Sequence, residues 1–393
     1  MSLGNGAIIL CLNSGSSSLK FAMFRISADG ETRVATGAVE RIGLEGGKLW
    51  IRADEDIALE RPERFADHEE AVRATMGAIE ESRLPVPAAV GHRVVHGGPR
   101  HQRPERIDTP LVDSLRRIVR FAPLHLPAEI RAIEAVSARH PDLPQVACFD
   151  TAFYRDLPEI SRRFPIPQPL HDQGLWRYGF HGLSYEYLVE TLGPKASGKA
   201  IFAHLGNGSS ATALRDGVPV DTTMGLTPTG GFMMGTRTGD LDPGLIFYLL
   251  DSGHGAREVD RIVNLESGLL GVSGSTSDMK ALLEKRGQDK RAALAFEMFA
   301  YHVRKAIGGL AAALGGLDTL VFTGGIGQNA PPVREWISAG LEHLGVHVDR
   351  EKNRASEEVI SAEESRCVVR VVPTDEELMI ARHTRRVLDS KKS

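Results

Sequence analysis

Two short apolar runs, each broken by a turn of asparagine, glycine and paired serines, constrain this chain more than any other feature. Ala7–Leu12 reads as a buried strand, Asn13–Ser18 (NSGSSS) as a tight polar turn and Leu19–Ile26 as the returning strand. About 190 residues later the pattern recurs as Ala200–Leu205, then Gly206-Asn207-Gly208-Ser209-Ser210, then Ala211–Leu214. A repeat at that spacing in 393 residues suggests an internal duplication, although hairpin turns favour Asn and Gly in any case. The length suits two or three domains.

Between the hairpins, helical and strand patterns alternate. Thr109-Pro110 reads as an N-cap before a proline, with Leu111, Val112, Leu115, Ile118 and Val119 on one apolar face. Ala128–Val136 keeps the helical period, and Gln145–Phe149 is a short buried strand ending at Asp150. Asp242-Pro243 predicts a capped helix to Leu250, and Arg291–Leu314 a long amphipathic one. Asp318–Phe322 and Arg366–Val372 read as strands, the second followed by a helix from Thr374. Hairpins combined with βα alternation indicate α/β layers, and two halves closely packed about a cleft are expected.

Composition excludes several classes. Lys+Arg 47 against Asp+Glu 51 leaves a charge of −4, so no global field recruits nucleic acid or anionic membrane. Cys11, Cys148 and Cys367 are odd in number and far apart, which rules out a disulfide framework and fits a reducing cytoplasm. No apolar run approaches the ~18–20 residues of a membrane span. The first residues show neither a basic segment nor a cleavage site of a signal peptide.

The 41 glycines are unevenly placed, clustering at 91–98, 206–208, 225–244, 268–274 and 324–327, mostly just after apolar runs. In Asn13-Ser14-Gly15-Ser16-Ser17-Ser18-Leu19-Lys20, backbone N–H groups and hydroxyls can cradle phosphate, with Lys20 for charge; a plain polar turn explains it equally well. His204–Ser210 repeats that logic, and Val321–Asn329 (VFTGGIGQN) reads as a third glycine turn after a strand. Each is weak alone; together they point to a nucleotide site. Gly91–Gly98 (GHRVVHGG) and Met234–Asp240 (MGTRTGD) each set an arginine among glycines, so Arg93 and Arg237 could grip an anion, although a lone surface arginine is usually only solvated. Asp150 stands at a strand end, where open α/β sheets carry functional groups, or is simply a turn aspartate. His181, between Phe180 and Gly182, is catalytic or a satisfied structural histidine. Thr374 and Glu377 match a capping box; Glu376 is left to bind metal or complement the helix dipole.

These segments resemble the acetate kinase (acetokinase) family. Ile9–Phe21 (ILCLNSGSSSLKF) and Met224–Gly244 (MGLTPTGGFMMGTRTGDLDPG) resemble its two signatures. GHRVVHGG, APLHLPAE, FDTAF, YGFHG, HLGNGSS, SGSTSDMK, FTGGIGQNA and PTDEEL follow in the family's order over nearly the whole chain. The resemblance implies two duplicated ribonuclease-H-like, actin-like ATPase domains around a cleft. Their expected bounds are 1–152 plus 379–393, a C-terminal helix returning to the first domain, and 153–378, carrying nucleotide and a dimer contact. It implies Mg-dependent, reversible transfer of the ATP γ-phosphate to acetate, giving acetyl phosphate and ADP.

The same resemblance assigns roles. Asn13 and Glu376 hold Mg²⁺, with Mn²⁺ as a substitute, and Lys20 lies near the phosphates. His204, Leu205, Gly206, Asn207 and Gly208 embrace the phosphates. Asp278, Met279 and Lys280, with Gly324, Gly325, Ile326, Gly327 and Gln328, receive the adenosine. Arg93, Asp150, His181 and Arg237 form the reaction centre; Arg93 also binds substrate, with Val95, Leu124, Phe180 and Pro228 around its methyl group. The implied partners are acetate or acetyl phosphate, ATP or ADP and a second copy of the chain, with no nucleic acid or membrane. Tyr154, Tyr185, Asp375, Gln328, Lys280 and Leu126 depart from the family's usual residues, which bears on nucleotide affinity and acyl chain length more than on reaction type. Propionate or butyrate kinase on the same scaffold is the alternative; an actin-like nucleotide switch without catalysis is the rival from another class.

Overall fold

The computed structural model describes residues 3–15, 17–53 and 56–390. Ser16, one hydroxyl of the first turn, lies outside the described residues. By backbone contacts the chain divides into two compact units. The first comprises Met1–Arg155, Gly182–Tyr187 and Asp375–Ser393; the second comprises Asp156–His181 and Leu188–Thr374.

The first unit is built on eight strands: β1 (Ile8–Ser14), β2 (Ser18–Ser27), β3 (Gly30–Glu40), β4 (Lys48–Ala53), β5 (Asp56–Pro62), β6 (Ala89–Val94), β7 (Glu105–Arg106) and β8 (Gln145–Phe149). Their order in the sheet is β5-β4-β3-β2-β1-β6-β8-β7, with β1, β6 and β8 parallel. The fully buried β1 alternates between two cores. Ile8, Leu10 and Leu12 join Ala71, Val72, Met76, Ala132 and Val136 on one face. Ile9 and Cys11 join Val146, Cys148, Met379 and Ile380 on the other. A side-chain period of two makes this split inevitable once both faces are covered.

Helices His68–Glu81 and Leu126–Arg139 cover the first face, and helix Glu376–Asp389 the second. Gly91 permits that docking: a Cβ there would stand 2.3 Å from Thr384 Oγ1 and 2.5 Å from Ile380 Cγ2. Buried Met379 and Ile380 each contribute about 1.5–3 kcal/mol by leaving water.

The second unit has β9 (Lys199–Leu205), β10 (Ser209–Arg215), β11 (Val218–Thr222), β12 (Thr319–Thr323) and β13 (Val368–Val371), ordered β11-β10-β9-β12-β13. The meander β9-β10-β11 followed by parallel β12 and β13 repeats the β1-β2-β3-β6-β8 arrangement. The duplication is therefore topological as well as local, and each unit is ribonuclease-H-like. Helix Lys290–Leu314 is a core helix: Ala295, Phe296, Phe299, Val303, Ile307 and Leu310 all enter the main cluster.

Three local expectations are corrected. The cap at the 109–117 helix is Asp108, whose side chain accepts from Leu111 N–H at 2.9 Å, and Thr109 is already helical. The last helix is capped by Asp375, accepting from Leu378 N–H at 2.9 Å, so Thr374 and Glu377 form no capping box. Glu377 instead accepts from Asn13, a long-range contact that local spacing cannot announce. The third glycine segment is no bare turn, since Gly324–Asn329 is a helix. Among the described residues no helix is long and apolar enough to cross a membrane, and all three cysteines are free and buried.

Candidate active site

Strand parity and parallel register assemble the first unit's polar cluster. Asn13 follows Ile9 and Cys11 on the face beneath helix Glu376–Asp389, Arg93 follows Gly91, and Asp150 follows Cys148. Because β1, β6 and β8 run parallel, all three residues stand at the same, C-terminal, strand ends, where α/β sheets place ligands. The N-terminal turn of helix Glu376–Asp389 completes the cluster.

Arg93 is its hub. Its Nη2 donates to Asp150 Oδ2 at 2.6 Å and its Nε to the same oxygen at 3.1 Å. Its Nη1 donates to Asn13 Oδ1 at 3.0 Å and lies 3.7 Å from Glu376 Oε2. The Asn13 amide nitrogen donates to Glu376 Oε2 at 3.2 Å and Glu377 Oε1 at 3.3 Å. Burial alone would lower the Arg93 pKa, but Asp150 and Glu376 outweigh it and hold the guanidinium firmly charged. Asp150 is fully buried, and desolvation, reinforced by Glu376, raises its pKa despite the opposing pull of Arg93. Glu377 is raised likewise, by burial and then by Glu376.

One guanidinium thus pairs with two carboxyl groups, Asp150 and Glu376, while Asn13 links a third, Glu377, to the same cluster, an arrangement short of positive charge. Asp150 Oδ1 is buried without a hydrogen bond. The described residues contain no group of three or more His, Cys, Asp or Glu side chains ready to hold a metal ion. Mg²⁺ usually keeps several waters and takes one or two carboxylates together with substrate phosphates, and the surplus of carboxyl oxygens beside Arg93 is a donor set of that kind. Asp375, one residue earlier, is occupied by its capping bond and by Arg33 Nη2 at 2.5 Å. Lys20 pairs with Asn13 across β1 and β2, so both side chains leave the same face, and Lys20 is exposed.

Glu129 was not foreseen. It is 1% exposed, and its Oε2 accepts from Val95 N–H at 3.1 Å. Desolvation pushes its pKa up to about 8 against the pull of the Val95 N–H and Arg93. The sequence did hold a signal: Glu129 shares a helix face with Ile133 and Val136, at i+4 and i+7, where an acid is out of place.

In the second unit His181 adopts φ 56°, unusual for a non-glycine residue. Its Nδ1 lies 2.9 Å from Ser210 Oγ, and its ring stacks on His204 at 4.3 Å and 14°. A Cβ added to Gly208 would stand 3.4 Å from His181 Nε2 and 3.5 Å from Arg237 Nη1, so both groups border this glycine. Arg237 Nη1 also donates to the carbonyl of Pro228 at 3.2 Å. The turn is held from outside by Gly235, whose N–H donates to Asn207 O at 3.0 Å; a Cβ there would lie 2.0 Å from Asn207 Oδ1.

The parallel pairing of β9 with β12 brings the 206–208 turn beside helix Gly324–Asn329. Gly324, at φ 76°, approaches so closely that a Cβ would stand 2.7 Å from Leu205 O. A cavity of about 460 Å³ opens there, lined by Gly206, Asn207, Asp278, Met279, Lys280, Gly325 and Ile326 among others. It also takes in Ser277, Leu283, Asn329 and Ala330, which sequence reasoning did not single out. Gln328 does not line it. The Gly327 and Gln328 carbonyls each accept from Arg334 Nη1 at 2.8 Å, which anchors the short helix from behind. Arg334 is fully buried, and that burial lowers its pKa to about 10.

Of the expected methyl-group residues, Val95 is buried and Leu124 half-buried in the first unit. Phe180 and Pro228 are buried in the second.

Comparison with known proteins places the chain in a family. The acetokinase family profile matches residues 8–382. An acetate kinase of Rhodopseudomonas palustris is 42% identical over 398 residues, covering 97% of this chain and 98% of its own. One from Thermoanaerobacterium thermosaccharolyticum is 42% identical, covering 98% and 100%. Among solved structures, a Francisella tularensis propionate kinase superposes with TM-score 0.90 at 37% identity, covering 97% of this chain and all of its own. A Porphyromonas gingivalis acetate kinase superposes at 0.85 and 36%, with the same coverage. Matched over nearly its whole length in sequence and in fold, the chain belongs to the acetokinase family of phosphotransferases.

Proposed function

We propose that the protein transfers the γ-phosphoryl group of ATP directly and reversibly to acetate, whose carboxylate attacks phosphorus in line. The observation that carries this reading is the first unit's cluster, in which a fixed arginine and a surplus of carboxyl groups offer places for a carboxylate substrate and for a cation. Both reactants are anionic, so positioning and charge neutralisation dominate catalysis. Arg93 and Arg237 hold the carboxylate and the equatorial phosphoryl oxygens, and His181 Nε2 donates to the same transferring group. Acetate is already ionised at neutral pH, so no general base is needed. Asp150 orients Arg93 through its two hydrogen bonds. Glu376 and Asn13, with water, would hold Mg²⁺, which neutralises the β- and γ-phosphates when bound; Mn²⁺ suits the same oxygen donors.

The second unit would hold the nucleotide. His204–Gly208 surround its phosphates, and Gly324–Ile326 with Asp278–Lys280 receive its adenosine, with Lys20 of the first unit contributing charge. Val95, Leu124, Phe180 and Pro228 enclose the methyl group. Residues 1–155 with 375–393 then act as the acyl-binding domain, and most of 156–374 as the nucleotide domain.

The chain assembles as a homodimer through the second unit. Helix Pro243–Asp251 supports this, because it buries no residue while Phe247 is 64% and Tyr248 68% exposed. A cytoplasmic setting agrees with three free, buried thiols.

Comparison of kcat/KM for acetate, propionate and butyrate, read by trapping the acyl phosphate as hydroxamate, tests the assignment. One methylene is worth ~1–3 kcal/mol in an apolar pocket, so acetate should lead propionate by about tenfold or more. A preference for propionate, the second reading that the propionate kinase likeness keeps in view, would replace the acetate assignment. ATP hydrolysis without acyl phosphate would exclude both.

A further inference from the structure

The Val95 N–H belongs to the turn that follows β6, and three side chains hold that turn. Glu129 Oε2 accepts from Val95 N–H at 3.1 Å, Thr151 Oγ1 from Gly97 N–H at 3.1 Å, and His96 Nδ1 from Gly98 N–H at 2.9 Å. Glu129 stands in the first turn of helix Leu126–Arg139, and the loop entering that helix carries Leu124. One buried hydrogen bond therefore ties together the two segments that supply the first unit's share of the methyl-group wall.

The side chain is costly for that position. Glu129 Oε1 has no partner, and a buried polar atom left unpaired is destabilising. An apolar residue of similar volume would fill the space without that cost, so space-filling does not account for an acid. The bond to Val95 does, because leucine, isoleucine or methionine could not accept it.

We propose that Glu129 is a positioning residue for acyl specificity, setting the depth of the pocket by fixing the Val95 backbone relative to Leu124. The inference rests on the reading of Val95 and Leu124 as walls of the acyl pocket. Glu129 touches neither the substrate nor the reacting atoms. Its burial pushes the carboxyl up to about 8, which favours the uncharged form and spares the neighbouring Asp150 a further negative charge.

The test compares kcat/KM for acetate and propionate, and KM for MgATP, in Glu129→Met, Glu129→Gln, Thr151→Val and Val95→Ala. Glu129→Met nearly conserves volume and removes the acceptor. It should shrink the acetate-to-propionate ratio at least fivefold while leaving KM for MgATP within twofold. Glu129→Gln keeps an acceptor for the Val95 N–H and should restore most of the ratio. Thr151→Val removes the second tether and should move the ratio in the same direction by less; if Glu129→Met fails to fold, this variant carries the test. A ratio unchanged in both Glu129→Met and Thr151→Val, while Val95→Ala changes it, overturns the inference and leaves the pocket standing. An unchanged ratio in Val95→Ala removes the pocket reading and the inference together.

Discussion

The hairpin turns of the two units look alike in sequence and do opposite work. In the first, the asparagine is the working part: Asn13, next to last in β1, joins Arg93 to Glu376 and Glu377. In the second, Asn207 mainly shapes the turn, its carbonyl taking the Gly235 N–H, while neighbouring Gly208 leaves space that His181 and Arg237 border. A duplicated backbone has been used once to fix charge and once to make room. The difference is physical: a strand end beneath a helix N-terminus favours polar side chains, whereas a glycine leaves its backbone uncovered.

The largest effect that could break this contrast is on catalysis. Arg237→Ala should lower kcat about 10³–10⁵-fold, as loss of an in-place arginine does in other phosphoryl transfers. A kcat within tenfold of wild type would remove Arg237 from the reaction centre. Arg93→Ala should differ in kind, because it leaves Asp150 buried and uncompensated. Denaturation should show a loss of about 3–5 kcal/mol. Adding Asp150→Asn should recover part of it, and strict additivity in the double mutant would mean that the pair does not interact.

The next effect concerns pH and sharpens the first unit's side of the contrast. Glu129 sits at about 8 in the folded protein against a usual 4.5, so between these values the folded chain holds a proton that the unfolded chain has lost. Stability should therefore fall as pH rises through that window, the loss being complete above about 8. Glu129→Gln should flatten the slope, its Tm gaining on wild type from about pH 5 to 8.5. Parallel Tm curves would show that Glu129 is ionised throughout.

The smallest effects compare the turns directly. Gly235→Ala drives a Cβ to 2.0 Å from Asn207 Oδ1 and to 3.2 Å from Asn207 O, a backbone atom that side-chain rotation cannot move, and should cost about 1–3 kcal/mol in stability, as overpacking does. Among the described residues, a Cβ on Gly15 would crowd Ser18 Oγ, at 2.9 Å, which a side-chain rotation relieves, while Ser18 O stands at an ordinary 3.6 Å, so the thermal midpoint of Gly15→Ala should barely move. Equal costs would mean that the first turn is as tightly enclosed as the second.

Much of this was legible in the sequence where short-range physics decides. Gln145–Phe149 is the strand its apolar run implies, and Asp242 caps its helix as expected. Other elements were not. Strands β3 to β5 alternate imperfectly and carry many charges because they approach an exposed edge, so periodicity alone did not mark them. Thr374 looked like a cap because serine and threonine caps are recognised by spacing, yet Asp375 stands one residue closer and takes the bond. Arg334 was invisible because its partners are mostly carbonyls, which no sequence pattern advertises.

The amino-acid sequence by itself determined the duplication, the α/β class and the glycines that let backbone approach backbone. These follow from steric preference and period, which act over a few residues. Only the tertiary structure decided which carboxyl groups share Arg93, which oxygen of Asp150 is left without a partner, and that Glu129 is buried with a raised pKa. Arg93 and Asp150 are 57 residues apart, and Asn13 and Glu376 are 363 apart. The field at each group is set by neighbours the chain supplies from far away, and by the water they exclude.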